Sequence, residues 1–447
     1  MKISNFESTG LEKVARWIEG NQIVNIDESS LKHILKTVNI SFVLEGINRI
    51  QSTLLCELKD SYVQQSQRYV TMNINSYSLP KLNDSAKNNQ ALDLTTRAFQ
   101  LYERMTQLKD SSFRGRPRVE NYLYGIPIED ARYILPLSTF TNLCVAMSGD
   151  KIVDLFCLIN DKKYATIFKE LREELLLRLP ANLIMLLPQG KDNEYNRTIV
   201  ESFYKEDLDK INDLSGVVLL NHFRDIEMKV GLGALASTLK GTPSQQIALW
   251  GPGAPQKARG VVERVLGYGH ESIAEQARTT FGMMCSLVTY HQQLRHRLSQ
   301  NHREDFSILI QEKERKVKIP ESIVNSKFYQ EFVELVDEIK EFRAEIANEE
   351  GYEKAFSFLL NCDQIKLIIS TNARMDISML ADRTCMNAQW EIRELAIKKL
   401  NILRTLSNVL YEKSLPTCVH GTCREGKLSC GQQLKVREMF LTNSSKS

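Results

Sequence analysis

The chain has 447 residues, 43% of them hydrophobic, and 58 Lys and Arg against 55 Asp and Glu give a formal net charge of +3. Such a length and apolar content can fill a large core in two or three domains. So small a net charge excludes a surface coated for general nucleic-acid binding, and any anionic ligand must be gathered by local arginines. The opening MKISNFESTG lacks an apolar signal core and no run of about 18 uncharged apolar residues occurs, so neither secretion nor membrane spanning is expected and the protein reads as cytoplasmic. Six cysteines are scattered singly while Cys418, Cys423 and Cys430 cluster, which suits reduced thiols and not a disulfide framework.

In chain order, LEKVARWIEG from Leu11 and TIFKELREELLLRL from Thr166 have helical spacing, and LPKLNDSAKNNQ from Leu79 is a polar stretch between elements. The segment from Leu183 to Asp213 passes through PQGKDNEYNRT, polar and turn-rich, before the apolar strand GVVLL, Gly216 to Leu220. This places a boundary near residue 215, dividing the chain into 1–214 and 215–447. GLGALASTLKG, from Gly231, fits a loose G-x-G-x-x-A, but it follows the charged RDIEMKV and not a strand, so it reads as helix and not as a dinucleotide fingerprint. SQQIALWGPGAP, from Ser244, reads as a Gly/Pro loop. Val261, Val262, Val265 and Leu266 then keep helical spacing until Gly267 and Gly269. Ser272 with Glu275 has the capping-box pattern and opens a helix running toward Gln292 and Arg295, and AQWEIRELAIKKLNILRTL is a late amphipathic helix.

The stretch HQQLRHRLSQNHRED, His291 to Asp305, concentrates basic and imidazole groups. On a helix, Gln292 would share a face with Arg295 and His296, an amide, a guanidinium and an imidazole in one pocket wall. Guanidinium forks hold phosphate in a bidentate way and stay charged, which suits a nucleotide or a dinucleotide cofactor better than a metal. The plainer reading is a solvated basic helix end, and a further one is a nucleotide or RNA binding module, although the stretch lacks the interleaved aromatics of a single-strand platform. In the tail, CVHGTCREGKLSC offers Cys418, His420, Cys423 and Cys430 at a spacing that suits tetrahedral zinc, against a plain reduced-thiol tail.

GYGHESIAEQARTTF, HQQLRHR and STNARMDISMLADRTCMNAQWEIRELA follow one another in this order, and together they resemble the flavin-dependent thymidylate synthases. Gly269, His270 and Glu275 match that family's G-H-x-S/T-x-x-E-H segment, Arg295, His296 and Arg297 its R-H-R, and Asn372, Arg374, Arg383, Ala388, Gln389, Trp390 and Glu391 its late N-x-R block. The family's S-x-R-Y is missing after this R-H-R, where Asp305, Phe306 and Ser307 stand, and its A-R-x-x-L-P is replaced by AFSFLLN from Ala355. Both missing pieces occur in the first half: Ser66, Arg68 and Tyr69 in DSYVQQSQRYV, and Arg132 in EDARYILPL. Conversely, the first half has Cys56, Glu57 and Leu58 where an R-H-R would stand, and MSGDKIVDLFCLI where the N-x-R would stand.

The resemblance implies an α+β fold of two fused copies, each an antiparallel sheet with flanking helices, forming a pseudodimer in which each half kept the limb the other lost. A homodimer of such chains would rebuild the family's tetramer-like core. It implies reductive methylation of dUMP to dTMP, with methylenetetrahydrofolate as one-carbon donor, FAD as hydride carrier and NADPH as reductant. Arg68, Arg132, Ser66 and Gln64, with Tyr69 in the same motif, would hold the dUMP phosphate. Gln292 and Arg383 would face the uracil, where Arg383 stabilises charge developing on the ring. Arg295, His296, Arg297, Asn372 and Arg374 would bind the flavin, with His270 beside folate or flavin. Gln64 and Gln276 stand where the family has Glu and a second His, which leaves room for a related flavoenzyme acting on another pyrimidine nucleotide, and a catalytically inactive nucleotide-binding homologue is the remaining alternative.

Overall fold

The computed structural model describes residues 1–115, 117–190, 192–212 and 216–441. Its contacts divide the chain into two compact units: unit 1 holds Met1–Ser202, Ser286–Arg295 and Asp305–Gln364, and unit 2 holds Phe203–Cys285, His296–Glu304 and Ile365–Ser447. The boundary read at 214/215 lies outside the described residues.

In unit 1, β1 (Lys2–Thr9), β2 (Asn39–Asn48), β3 (Ser61–Gln64) and β4 (Phe140–Ser148) form an antiparallel sheet ordered β1-β2-β4-β3. Alternation decides which face is covered: Ile40, Phe42 and Leu44 on β2 and Leu143, Val145 and Met147 on β4 are buried, while Ser41, Asn142 and Cys144 between them are exposed. Helix α1 (Leu11–Gly20) buries Leu11, Val14 and Ile18, one turn apart, as its spacing predicts. Helix α2 (Arg49–Cys56) begins where Asn48 and Gln51 cap each other reciprocally, and α3 (Ser85–Met105) is capped by the Asp84 carboxylate on the Ala86 amide. Unit 1 also takes α4 (Leu287–Gln293), capped by Ser286, and α5 (Tyr329–Glu350) from the second half of the sequence.

These segments belong to unit 1 because corresponding pieces of the two halves pair with each other there. Residues 131–138 and 355–362 run antiparallel, with Leu137 N donating to Leu359 O (2.7 Å), Asn361 N donating to Leu135 O (3.0 Å), and Pro136 bridged to Leu360. Setting ARYILPL beside AFSFLLN makes Pro136 and Leu360 counterparts, so a local two-fold axis passes between them, the mark of an isologous contact. Helices α3 and α5 pair antiparallel in the same manner: Arg97 grips Glu338 through two bonds of 2.6 and 2.7 Å, Arg104 pairs with Glu331, and Lys87 pairs with Glu345 and Glu349.

In unit 2, β5 (Val217–His222), β6 (Arg278–Ser286), β7 (Gln300–Arg303) and β8 (Gln364–Asn372) are ordered β5-β6-β8-β7, the same topology as the first sheet. Its central strands are buried on both faces. Ile211 packs with Met284 and Ile368, backed by Tyr204 and Leu208, and a Cβ at Gly282 would lie 2.5 Å from Ile211 Cγ1 and 2.9 Å from Val218 Cγ1. Helix α6 (Ala373–Arg383) starts at the Asn372 cap, and α7 (Trp390–Leu406) starts at Gln389, whose side-chain oxygen accepts from the Glu391 and Ile392 amides. Lys399 on α7 is buried against Asp376 on α6 (2.6 Å) and Thr371 on β8 (3.2 Å). No helix among the described residues is long and apolar enough to cross a membrane.

Several local expectations are corrected. Ser272 and Glu275 open no helix toward Gln292: Glu271–Gln276 is one short 3-10 segment, and the chain then enters β6, where the β-branched and aromatic run Thr279, Thr280, Phe281 favours a strand. SQQIALW is helical, over Pro243–Trp250, because Thr242 and Gln245 form a reciprocal cap with Pro243 at the first position. The polar stretch after residue 188 contains a helix, Glu194–Asp209, and LPKLNDSAKNNQ already contains the start of α3. GLGALAST lies on a helix, Ile226–Thr238, as read.

Candidate functional site

Most of the residues expected to hold the substrate, Gln64, Ser66, Arg68, Tyr69, Arg132 and Gln292, fall in unit 1. Gln64, at the end of β3, donates through Nε2 to Ser52 Oγ (2.6 Å) and reaches Cys56 Sγ (3.0 Å), both on α2. Ser66 Oγ accepts from the Arg68 amide (3.2 Å), and the Arg68 guanidinium donates from Nε to Glu129 Oε2 (2.8 Å). Tyr69 is exposed, its ring centroid 6.0 Å from the Arg68 guanidinium. Arg132 is buried, with Nε donating to Glu129 O (3.0 Å) and Nη2 buried without a partner among the described residues. Gln292 comes from the second half and is buried on α4.

The same unit holds two residues that motif reading misses. Arg49 opens α2 and is buried; its Nη2 lies 2.9 Å from His291 Nδ1. Guanidinium can only donate, so Nδ1 accepts, and the imidazole proton sits on Nε2, directed at Thr53 Oγ1 (2.5 Å), which in turn donates to Arg49 O (2.7 Å). The chain of bonds requires a neutral imidazole. Burial, and then the positive charges of Arg49, Arg132 and Arg295, hold the His291 pKa well below its ordinary 6.5. Burial and the repulsion of Arg132 and Arg295 pull Arg49 down to about 9, and burial, with repulsion from Arg68, pulls Arg132 down to about 10. Four guanidiniums therefore feel one another across this region, and neither Arg49 nor Arg132 forms an ion pair among the described residues. The signal in the sequence is an arginine heading the otherwise uncharged helix RIQSTLLC, and a histidine next to Gln292.

The residues expected to hold the flavin divide between the units. Arg295 falls in unit 1 and His296 in unit 2, and α4 ends at Gln293, so the expected shared helix face of Gln292, Arg295 and His296 does not form. Helix geometry stops two residues short of Arg295. In unit 2, Arg383 Nε donates to His296 Nε2 (2.7 Å), which leaves the proton of a neutral imidazole on Nδ1. Arg374 is exposed and pairs with Glu275 (2.5 Å), joining the late N-x-R block to the G-H-x-S segment. Asn372 is buried and its Oδ1 accepts from the Met375 amide (2.9 Å) as the cap of α6. Arg297 and His270 are exposed, and His270 follows Gly269, whose φ of +83° suits glycine.

The tail does not form the zinc site. Among the described residues no group of three or more His, Cys, Asp or Glu side chains converges to hold a metal ion. Cys418 is buried on the short helix Thr417–His420 while His420 at its end is exposed, and Gln433 and Arg437 occupy the Cys418 carbonyl (3.1 and 3.0 Å). Burial, and then the neighbouring Cys423 and Cys430, raise the Cys418 thiol.

With this geometry in view, comparison with known proteins is direct. Residues 12–173 and 227–407 each match the family described as "Thymidylate synthase complementing protein". A flavin-dependent thymidylate synthase of Geobacter sulfurreducens is 28% identical over 229 residues, 50% of this chain and 97% of that protein. The enzymes of the same name from Thermococcus onnurineus and Thermococcus kodakarensis are 34% and 35% identical, each over 37% of this chain and 72% of the relative.

Proposed function

The chain belongs to the thymidylate synthase complementing protein family, matched twice along its length, and we propose that it is a flavin-dependent thymidylate synthase whose sites are assembled from complementary halves. The observation that carries the reading is Arg132: a buried guanidinium with one nitrogen lacking a protein partner among the described residues, in the same unit as Arg68, Ser66, Gln64 and Gln292. Such a group is stable when an anion completes its hydrogen bonds, and a nucleotide monophosphate supplies one. In this reading Arg68, Arg132, Ser66 and Gln64 hold the dUMP phosphate, with Tyr69 packed on Arg68. Gln292 and Arg383 face the uracil, where a fixed guanidinium stabilises charge developing on the ring oxygens and makes carbon 5 nucleophilic. The bond from Arg383 Nε to His296 Nε2, which would hold the guanidinium in place, supports this reading.

Arg295, His296, Arg297, Asn372 and Arg374 would hold FAD, and the cationic, donor-rich set fits a diphosphate-bearing cofactor. When bound, FAD supplies the hydride, NADPH its reducing equivalents, and methylenetetrahydrofolate the carbon transferred. His270, exposed in unit 2, would contact folate or flavin. A homodimer would bring four halves together and carry two flavins, because half of the R-H-R segments are absent.

The test is a spectrum followed by turnover. Purified protein should be yellow, Arg297→Ala should lose FAD while keeping dUMP, and with NADPH and methylenetetrahydrofolate the protein should release tritium from carbon 5 of dUMP and form dTMP. Colourless protein that takes up no FAD would sink the reading. Gln64, a neutral amide bound to Ser52 where the family has Glu, favours the related reading of another pyrimidine nucleotide; dTMP formation excludes it.

A further inference from the structure

Arg49 has no counterpart in the family's motifs, and its position in the second half is taken by the buried Leu287. Asn48 and Ser286 cap the corresponding helices, and the Arg49 and Leu287 amides donate to the counterpart carbonyls of Thr139 and Asp363, so residue 49 corresponds to 287. One half thus carries a buried cation where the other carries an aliphatic side chain. Arg49 Nε, Arg132 Nη2 and Gln67 Nε2 are all buried without a hydrogen-bond partner among the described residues. They are donors only, and they are tied to one framework. The Arg49 amide donates to Thr139 O (3.0 Å), seven residues beyond Arg132, while Asn361 Nδ2 bonds both Arg132 O (2.9 Å) and Gln67 Oε1 (3.3 Å).

Burying donor nitrogens is unfavourable unless an acceptor meets them, and burying a guanidinium beside another is more so. His291 satisfies Nη2 of Arg49 without neutralising it, because the imidazole accepts as a neutral group. The remaining requirement is negative charge on small oxygen acceptors. We infer that Arg49, oriented by His291 and acting with Arg132 and Gln67, is a further anion-holding residue that grips the phosphate of the nucleotide substrate, peculiar to this tandem arrangement. The inference rests on the nucleotide reading above and adds to it a residue that the family motifs do not supply. His291 is then a positioning residue: its Nδ1 holds the guanidinium through Nη2 and leaves Nε without a protein partner among the described residues.

The experiment uses the full-length chain and two probes, dUMP and inorganic phosphate, with Arg49→Met, Arg49→Lys and Arg132→Met. Arg49→Met should bind dUMP roughly 10- to 100-fold more weakly, the loss of one charge-assisted contact, while FAD content is unchanged. Without ligand it should melt at or above the wild-type temperature, since a buried unneutralised charge has been removed, and phosphate should no longer raise that temperature. Arg49→Lys should recover part of the affinity. A melting temperature that falls in Arg49→Met while the phosphate-induced rise persists would make Arg49 a strut for α4 and overturn the inference. So would unchanged dUMP affinity in Arg49→Met when Arg132→Met has lost it, leaving the nucleotide reading intact. If dUMP fails to bind wild type but phosphate protects it and not Arg49→Met, the anion site stands and the nucleotide reading falls.

Discussion

The two units treat buried cations differently. In unit 2, Lys399 is enclosed with the Asp376 carboxylate, Arg374 sits at the surface against Glu275, and Arg383 leans on a neutral histidine. In unit 1, Arg49 and Arg132 are buried like Lys399 but have no ion pair among the described residues, and Arg49 is repelled by both Arg132 and Arg295. A cation neutralised by the fold itself serves stability. One left with unmet donors in a dry region serves a ligand, because a charge held there is useful when an anion is to be recognised.

The largest effect should come from breaking the neutralised pair. Lys399→Met strands the Asp376 carboxylate and should destabilise unit 2 by about 3–5 kcal/mol, read from urea unfolding; no loss, the outcome expected of Arg49→Met, would erase the distinction between the two kinds of burial. Next, Arg132→Met should weaken dUMP by about 1.5–3 kcal/mol, measured by calorimetry, with FAD retained. Acid should act on both units, and the sign is set by the protons bound. His291, depressed well below 6.5, and His302, depressed by burial to about 4, stay neutral in the folded protein while the unfolded chain protonates them. Their contribution is intact above about pH 6.5 and declines as pH falls below it, because the unfolded state then binds more protons. His291→Gln should flatten that decline in melts between pH 7 and pH 4 relative to wild type, a range set by the ordinary histidine value of about 6.5. The smallest effect belongs to Arg374→Ala: its exposed pair with Glu275 is worth about 0.2–1 kcal/mol of stability, so a clear loss of flavin absorbance without a shift in melting would mark it as a cofactor residue.

Much of this is legible in the residues. Paired motifs single out Arg132, Arg383 and Arg374 as candidates, and amphipathic spacing locates α1 and α7 within a residue or two. The failures have physical causes. Gln292 and Arg295 read as one helix face because spacing alone cannot say where a helix stops. β6 reads as helix because Ser272 and Glu275 resemble a cap, whereas burial on both faces of the second sheet favours the strand. The helix Glu194–Asp209 is polar on most sides, and its contribution to the fold is to deliver Ile211, just beyond its end, against Gly282. Arg49 is inconspicuous in the sequence because its meaning depends on His291, 242 residues away. Nor could composition show that residues 131–138 pair with 355–362, the contact that draws the second half's α5 into unit 1.

The pairing of α3 with α5 has a consequence for how such a chain can change. In an assembly of identical halves, a helix meeting its own copy across a two-fold axis must carry both signs of charge. Here Lys87, Arg97 and Arg104 lie on one helix and Glu331, Glu338, Glu345 and Glu349 on the other. Two copies of α5 brought together would set carboxylates against carboxylates, and two copies of α3 would lose every one of these partners. Neither helix could be replaced by a second copy of the other without losing these pairs, so the charges specify which two helices meet.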